Sequence, residues 1–279
     1  MTPRTARPHA DHPHADRPST GGPPAPRGPA LVAVAHGSRD PRALRTVSAL
    51  LDRVRRSRPG LDVQLGHIEL NEPLLGDTLD RLAAQGGREA VLVPLLLGRG
   101  HHVKVDLPAA LAAEPRLRAV VAAPLGADPL LAEVLHARLA EAGWAEGAGG
   151  EAVVLAAAGS RDPDSAADTA RTAALLSARL GGVPVVPAYA SAAAPTVPAA
   201  LAALRSRGLR RIAVASCFTA PGRFAAQSAA AAPWIASAPL GAHPAMARLV
   251  LARHAAGAAA LAATARRPLP ALVRATVAV

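Results

Sequence analysis

Cysteine, lysine and aromatic residues are scarce in this chain of 279 residues. There is one cysteine, Cys217, and one lysine, Lys104, and aromatic residues make up 2% of the sequence. A single cysteine excludes a disulfide framework within the chain and favours a reducing, cytoplasmic compartment. Hydrophobic residues nevertheless make up 51%, many of them alanine. We therefore expect a core that packs closely through small side chains, with Cys217 as one of them.

A long apolar run suited to a signal peptide or a membrane helix is also missing. The N-terminus has no apolar signal core, and the uncharged stretch from 180 to 204 contains four prolines. Proline at that density is not compatible with a helix inside a bilayer. The sequence predicts a soluble protein without a membrane partner.

Basic residues are in excess, but they are not gathered into a patch. The formal net charge is +11. Proteins that bind nucleic acid usually show a clustered basic run or basic residues interleaved with aromatics, and neither pattern is present. We predict no nucleic-acid partner, whereas an anionic small substrate is compatible with the charge.

The two ends of the chain lack a periodic pattern. Residues 1–28 are rich in Pro, Gly, Arg and His, which predicts a disordered leader. A His-rich leader can bind metal ions weakly. The preferred interpretation is a solvated tail of biased composition. The histidines of the leader are His9, His12 and His14. Residues 259–279 form a tail to which no role can be assigned.

Between the ends, short apolar strands alternate with amphipathic helices. In the first half the predicted strands cover residues 30–35, 62–69, 90–97 and 118–124. The predicted helices cover about 16 residues from Pro41 and then residues 75–85, 107–114 and 128–142. This alternation is typical of an α/β fold with a parallel sheet flanked by helices. A Gly-rich segment at 146–150 is a plausible linker.

The second half repeats the first. Residues 33–41 read AVAHGSRDP and residues 155–163 read LAAAGSRDP, which places Ala158 opposite His36 at an offset of 122 residues. At the same offset Pro73 matches Pro195 and the strand at 90–97 matches the apolar run at 212–219. The segment APLGA at 123–127 recurs at 238–242, after a gap of about seven residues. We therefore predict two similar lobes, at 29–145 and 151–258.

Three side chains of the type that binds metals occur in the first copy only. They are His36, Glu69 and His102, and their counterparts are, in order, Ala158, Ser191 and Phe224. His36 follows the first predicted strand, Glu69 ends the second, and His102 lies in the loop after the third. Ligands of parallel sheets bind beyond the carboxyl ends of the strands. Two imidazoles and a carboxylate suit a borderline divalent ion such as Fe, Co, Ni or Zn. The incomplete protein shell leaves open positions for a substrate.

Each candidate also has an ordinary explanation. His36 alone is typical of a turn or capping residue, His101 and His102 of a polar loop pair, and Glu69 of a surface carboxylate. Their joint occurrence in one copy favours a metal site. His67, two residues before Glu69, is either a partner on the same strand face or a packing residue. The remaining candidates, His136, His243 and His254, are assigned structural roles.

Three stretches carry a resemblance to a known family. They are residues 33–39, AVAHGSR; residues 67–73, HIELNEP; and residues 94–108, PLLLGRGHHVKVDLP. Together they resemble the sirohydrochlorin chelatases of the CbiX/SirB type, over about residues 30–260. The third stretch is the most specific, and on its spacing His102, not His101, matches the family histidine.

The resemblance implies the class II chelatase fold, with a tetrapyrrole cleft between two α/β lobes. It implies insertion of a divalent metal ion into sirohydrochlorin for sirohaem or cobalamin biosynthesis, without ATP or an organic cofactor. Fe²⁺ is the first choice of metal and Co²⁺ the second. The metal is then a substrate that His36 and His102 hold and that Glu69 helps to bind while accepting a proton. Short family members form dimers, so a chain with both halves is expected to act as a monomer.

The anionic substrate gives the basic charge a use. Ser38, Arg39, Arg99 and Arg161 are predicted to contact the carboxylates of the tetrapyrrole. For Arg39 and Arg161 the alternative is an ion pair at the sheet edge, common to both copies. Two other functions stay open: a metal-delivery protein without chelatase activity, and a non-catalytic protein that binds an acidic metabolite.

Overall fold

The computed structural model describes residues 28–86, 89–145 and 149–265. The predicted leader, apart from Gly28, and residues 266–279 of the predicted tail lie outside the described residues. The first copy contains β1 (Ala30–Ala35), α1 (Pro41–Ser57), β2 (Val63–His67), α2 (Leu75–Ala84), β3 (Glu89–Pro94), a π-helix (His102–Asp106), α3 (Leu107–Ala112), β4 (Arg118–Val121) and α4 (Pro129–Glu141). The second contains β5 (Glu151–Ala157), α5 (Pro163–Arg179), β6 (Val185–Tyr189), α6 (Val197–Ser206), β7 (Arg211–Cys217), α7 (Arg223–Ala230) and α8 (Pro244–Ala265).

The strands form two parallel sheets, one for each copy. The first has the order β2-β1-β3-β4 and the second the order β6-β5-β7. The register is the same in both, since Ala35 lies opposite His67 and Ala157 lies opposite Tyr189. The predicted α/β fold with two similar lobes is confirmed. The second sheet has one strand fewer, and only an isolated bridge from Val214 to Ala236 continues it.

The longest helix of the first copy and its repeat begin for the same local reason. The Asp40 side chain accepts the backbone N–H of Arg42, and the Asp162 side chain accepts that of Asp164. Proline follows the capping aspartate in both, at the position where its fixed φ suits a helix and its missing N–H costs nothing. The shared sequence Arg-Asp-Pro therefore starts α1 and α5.

Strands end earlier than predicted where the chain turns towards the site. β2 ends at His67 and β3 at Pro94, against predicted ends at 69 and 97. After β2 the chain bends through Leu70, which has a φ of 68°. Glu69 therefore lies beyond the strand and is exposed, whereas His67 is buried within it. The prediction that both share one strand face is wrong for this reason.

The last helix of each copy packs on the other lobe. α4 contacts α5 and β7, whereas α8 contacts α1, β3 and β4. On the α8 side, a Cβ built on Gly257 would lie 2.4 Å from Val91 Cγ1, so only glycine permits this approach. On the α4 side, the Arg138 guanidinium donates to the Leu240 carbonyl. Each copy of the sequence therefore gives its last helix to the other lobe, so two helices are exchanged in space. The lobe boundaries at 145 and 258 stay a prediction.

A single apolar cluster runs through both lobes. It includes Leu31 and Val91 of the first sheet together with Val153 and Leu155 of the second, all fully buried. Cys217 belongs to this cluster, and burial raises the pKa of its thiol to about 12, as expected for a core residue. Within the part of the chain that the structure describes, no helix combines the length and apolar character needed to span a bilayer.

Candidate functional site

The turn after β1 fixes the distance between His36 and Glu69. Gly37 has a φ of +102°, and an added Cβ would lie 1.8 Å from the carbonyl oxygen of Glu69, so the backbones touch here. The Glu69 N–H donates to the His36 carbonyl at 3.0 Å. As a result, His36 Nδ1 lies 3.5 Å from Glu69 Oε1.

The loop after β3 brings His102 to the same place. It contains Gly98 and Gly100 and leads directly into the π-helix, where His102 is the first residue. The rings of His36 and His102 meet edge to face, with centroids 4.9 Å apart and planes at 87°. The structure thus brings together three side chains that are far apart in sequence, with His36 in contact with both of the others.

A carboxylate orients the ring of His102. Asp106 Oδ2 lies 2.6 Å from His102 Nδ1, while its Oδ1 lies 3.5 Å from His101 Nε2. If Nδ1 carries the proton that Asp106 accepts, Nε2 keeps a free lone pair, which is the form that binds a metal. Asp106 belongs to the stretch 94–108 that carries the family resemblance, but no role was predicted for it. Its spacing of four residues from His102 on a helix was the signal that could have found it.

The site is open rather than closed around an ion. The exposed fractions of the side chains are 44% for His36, 54% for Glu69 and 37% for His102. Across residues 28–86, 89–145 and 149–265, no group of three or more His, Cys, Asp or Glu side chains is already arranged to hold a metal. Their role as ligands therefore stays a prediction, and a metal bound by His36 and His102 would keep open positions for another ligand.

The four residues predicted to bind the substrate differ in their contacts. Ser38 accepts the Asp40 N–H at 3.1 Å, as Ser160 does for Asp162, so this hydroxyl supports the turn in both copies. Arg39 and Arg161 are exposed and form no hydrogen bond or ion pair with another described residue. The ion-pair explanation for these two arginines is therefore not supported, and both guanidinium groups face solvent.

Arg99, the fourth of these residues, is bound to the other lobe. Its backbone N–H and its guanidinium both donate to Asp168, with Nη2 2.8 Å from Oδ1. Burial raises the pKa of the Asp168 carboxyl, but the hydrogen bonds from Arg99 outweigh it and hold the pKa below its usual value. The guanidinium is 41% exposed, so substrate contact by Arg99 stays a prediction alongside this role.

Three other histidines pair with backbone groups. His67 is buried, and its Nδ1 lies 3.2 Å from the Pro73 carbonyl, which supports the packing interpretation. His243 Nδ1 accepts the Ala245 N–H at the start of α8. His254 is buried with Nε2 3.0 Å from the Pro29 carbonyl, and burial lowers its pKa.

Two cavities are related by the repeat. One, of about 290 Å³, is lined by Ile68, Leu74, Asp77 and Asp106 among others. The other, of about 220 Å³, is lined by residues at the matching places of the second copy, including Thr196. The three candidate ligands line neither cavity, so the chemistry is expected at the exposed edge of the sheet and not in an enclosed pocket.

Comparison with known proteins gives an independent view of the repeat and the fold. The family model described as CbiX matches residues 30–142 and again residues 152–256. The solved structure described as SirB from Bacillus subtilis with Fe3+ has a TM-score of 0.68 and 24% identity, over 83% of this chain and 96% of that one. That likeness supports the chelatase-like fold.

Curated relatives match over shorter stretches. A sirohydrochlorin cobaltochelatase of Methanococcus aeolicus is 33% identical over 79 residues, which is 28% of this chain and 55% of the relative. The sirohydrochlorin ferrochelatase of Bacillus subtilis is 29% identical over 171 residues, which is 60% of this chain and 64% of the relative. The chain thus spans between half and two thirds of the length of these two relatives.

Proposed function

The chain belongs to the CbiX family, and on that premise we propose that it is a sirohydrochlorin chelatase. It would insert a divalent metal ion into the tetrapyrrole, with Fe²⁺ as the first choice and Co²⁺ as the second. One observation carries the proposal: His36 lies within contact of both Glu69 and His102, the three residues that the second copy lacks. Imidazole and carboxylate ligands accept either ion. Relatives named as cobaltochelatase and as ferrochelatase both match the chain.

The residues suit each step of metal insertion. The ion must lose water, and the ring must lose its two inner N–H protons. His36 and His102 would hold the ion through neutral imidazole nitrogens, with Asp106 keeping the His102 ring in the orientation that leaves Nε2 free. Glu69 would bind the ion on entry and accept a ring proton. None of these steps needs ATP or an organic cofactor.

The surface beside these residues suits a flat, partly apolar ring. Among the described residues the exposed large hydrophobic side chains are Leu44, Leu70, Leu74 and Val105. All four lie in the first copy, and their counterparts are Ala166, Ala192, Thr196 and Gln227. Leu70 directly follows Glu69, and Val105 lies on the π-helix that His102 begins. Burying such side chains under a macrocycle would be favourable.

The anionic groups of the substrate have candidate partners nearby. Arg39 follows His36 by three residues, and its guanidinium is exposed without a described partner. Arg161 occupies the matching place on the second lobe. Each can bind a carboxylate in a bidentate manner. A single chain carries all of these groups, so we expect a monomer to be active.

The test is a direct assay of insertion. Purified protein is mixed with sirohydrochlorin and Fe²⁺ or Co²⁺ without oxygen, and the absorbance change of the tetrapyrrole is followed. We expect acceleration that is lost in His102→Ala and kept in Phe224→Ala, the matched change in the second copy. Tight Co²⁺ binding without acceleration for either ion would instead favour a metal-delivery protein.

A further inference from the structure

The loop that carries His102 is attached to the opposite lobe on both sides of that histidine. Three residues before it, Arg99 donates from its backbone N–H and its guanidinium to Asp168 of α5. Two residues after it, Lys104 Nζ lies 2.7 Å from Asp162 and 2.8 Å from Asp164. The three carboxylates lie on the second copy, at the start and along the first turns of α5.

Glycines allow this loop to come close to α5. A Cβ built on Gly98 would lie 2.8 Å from Ser165 Oγ, and one on Gly100 would lie 3.2 Å from Ser160 Oγ. The carbonyl of Gly100 accepts the N–H groups of Val103 and Lys104, so the anchored segment is one tight turn. A shift of α5 would therefore be transmitted to the backbone that presents His102.

Within the described part of the chain, only the loop of the first copy is attached to the other lobe by such charged contacts. The counterparts of Arg99 and Lys104 are Pro221 and Ala226, and neither side chain can form an ion pair. On the receiving helix the counterpart of Asp168 is Thr46. The matching aspartate of α1, Asp40, pairs with Arg42 of its own lobe. Among the described residues, the loop of the second copy thus has no equivalent of these charged contacts, although the backbone frame is shared.

We propose that Arg99 and Lys104, held by Asp162, Asp164 and Asp168, are positioning residues that fix His102 against His36. The second lobe, which lacks the metal-type side chains, would then serve the site as its anchor. This inference rests on the proposed function. It gives the Arg99 guanidinium a role in the reaction that does not require contact with substrate.

The two halves of the anchor differ in strength. Asp168 is 6% exposed and accepts several bonds, so removing its charge leaves the Arg99 guanidinium without its main partner in a half-buried place. Lys104 is 40% exposed, and its pairs are screened by solvent. Asp168 is therefore the sharper position at which to test the idea.

The experiment measures the loop and the chemistry separately. Asp168→Asn keeps the size of the side chain and removes its charge. Hydrogen exchange of a peptide covering 97–107 reports the loop, titration with Co²⁺ alone reports metal binding, and the insertion assay gives kcat and KM. The controls are Arg248→Gln, which breaks a 2.7 Å ion pair to Glu133 elsewhere, and Gly257→Leu, which lowers stability without touching the loop.

We expect exchange in 97–107 to rise about tenfold in Asp168→Asn. Co²⁺ affinity and kcat should each fall about tenfold, with KM for sirohydrochlorin within about twofold of the wild type, as for residues that orient a metal ligand. Asp168→Glu should recover part of the loss. Unchanged exchange and affinity, or the same changes in both controls, would overturn the proposal.

Two further arms keep the test decisive. Should Asp168→Asn fail to fold, Lys104→Gln gives the same three readouts at an exposed position, with a smaller expected change of about threefold. Should the wild type fail to insert metal, the proposed function fails, whereas exchange and Co²⁺ binding still decide whether α5 positions the loop.

Discussion

Gly37 and Gly159 occupy the same place in the two copies, but the residue before each glycine differs. Both have positive φ, +102° and +91°, and an added Cβ would lie 1.8 Å from one carbonyl oxygen and 1.9 Å from its counterpart. The residue before the glycine is a histidine in one copy and an alanine in the other. The comparison teaches that the two copies share the residues that the backbone requires and differ in those that only the chemistry requires.

The segment after the third strand shows a second difference. In the first copy a π-helix from His102 to Asp106 precedes α3, whereas in the second copy a regular helix, α7, occupies this region. π-Helical turns are frequent at functional sites. Here the turn places a histidine and the carboxylate that orients it on one face, and the second copy has Phe224 and Ser228 at these positions.

The largest expected effect comes from exchanging the two residues that precede the glycines. His36→Ala should lower the rate of metal insertion by more than about a hundredfold, because it removes the side chain that contacts both other candidate ligands. Ala158→His should leave the rate within about twofold. The insertion assay measures both, and equal losses in the two variants would contradict the assignment of the site to one lobe.

The shared backbone predicts a symmetrical result for stability. Gly37→Ala and Gly159→Ala should each lower the free energy of unfolding by about 3 kcal/mol, because a Cβ meets a backbone carbonyl and φ is positive. Urea denaturation measures the change. A neutral result at either glycine would show that the two turns are not equivalent.

The packing of α8 on the first sheet can be tested where Gly257 meets Val91. Gly257→Leu should lower the free energy of unfolding by about 2 kcal/mol, since the added side chain must displace α8 from Val91 on β3. Ala255→Leu, an exposed position on the same helix, is the matched control and should change stability little. Equal stability of the two variants would argue against the packing of α8 on the first sheet.

The smallest expected effect is on the stability of the fold at acidic pH. The pKa of Asp168 is lowered in the folded protein, so its ion pair adds stability above the unfolded value of about 3.9. That stability is lost as the pH falls through the lower, folded pKa. Wild type should therefore lose more stability below about pH 4 than Asp168→Asn does. Urea midpoints at a series of pH values measure this, and parallel curves would refute it.

Much of the fold was readable because its causes are local. The Arg-Asp-Pro sequence starts a helix in both copies through one capping bond, and short apolar runs form the strands. The candidate site was readable because parallel strands end at a common edge, which brings His36, Glu69 and His102 together. What could not be predicted depends on contacts between distant parts of the chain.

The sequence by itself determined the repeat, the two parallel sheets and the residues that distinguish the copies, since these follow from local preference and from comparison of the chain with itself. Tertiary structure alone decided that α4 and α8 change lobes and that Arg99 is bound by Asp168. The chemical character of a side chain is known from the sequence. Its partner across a lobe boundary is set by how the packed helices bring distant segments together.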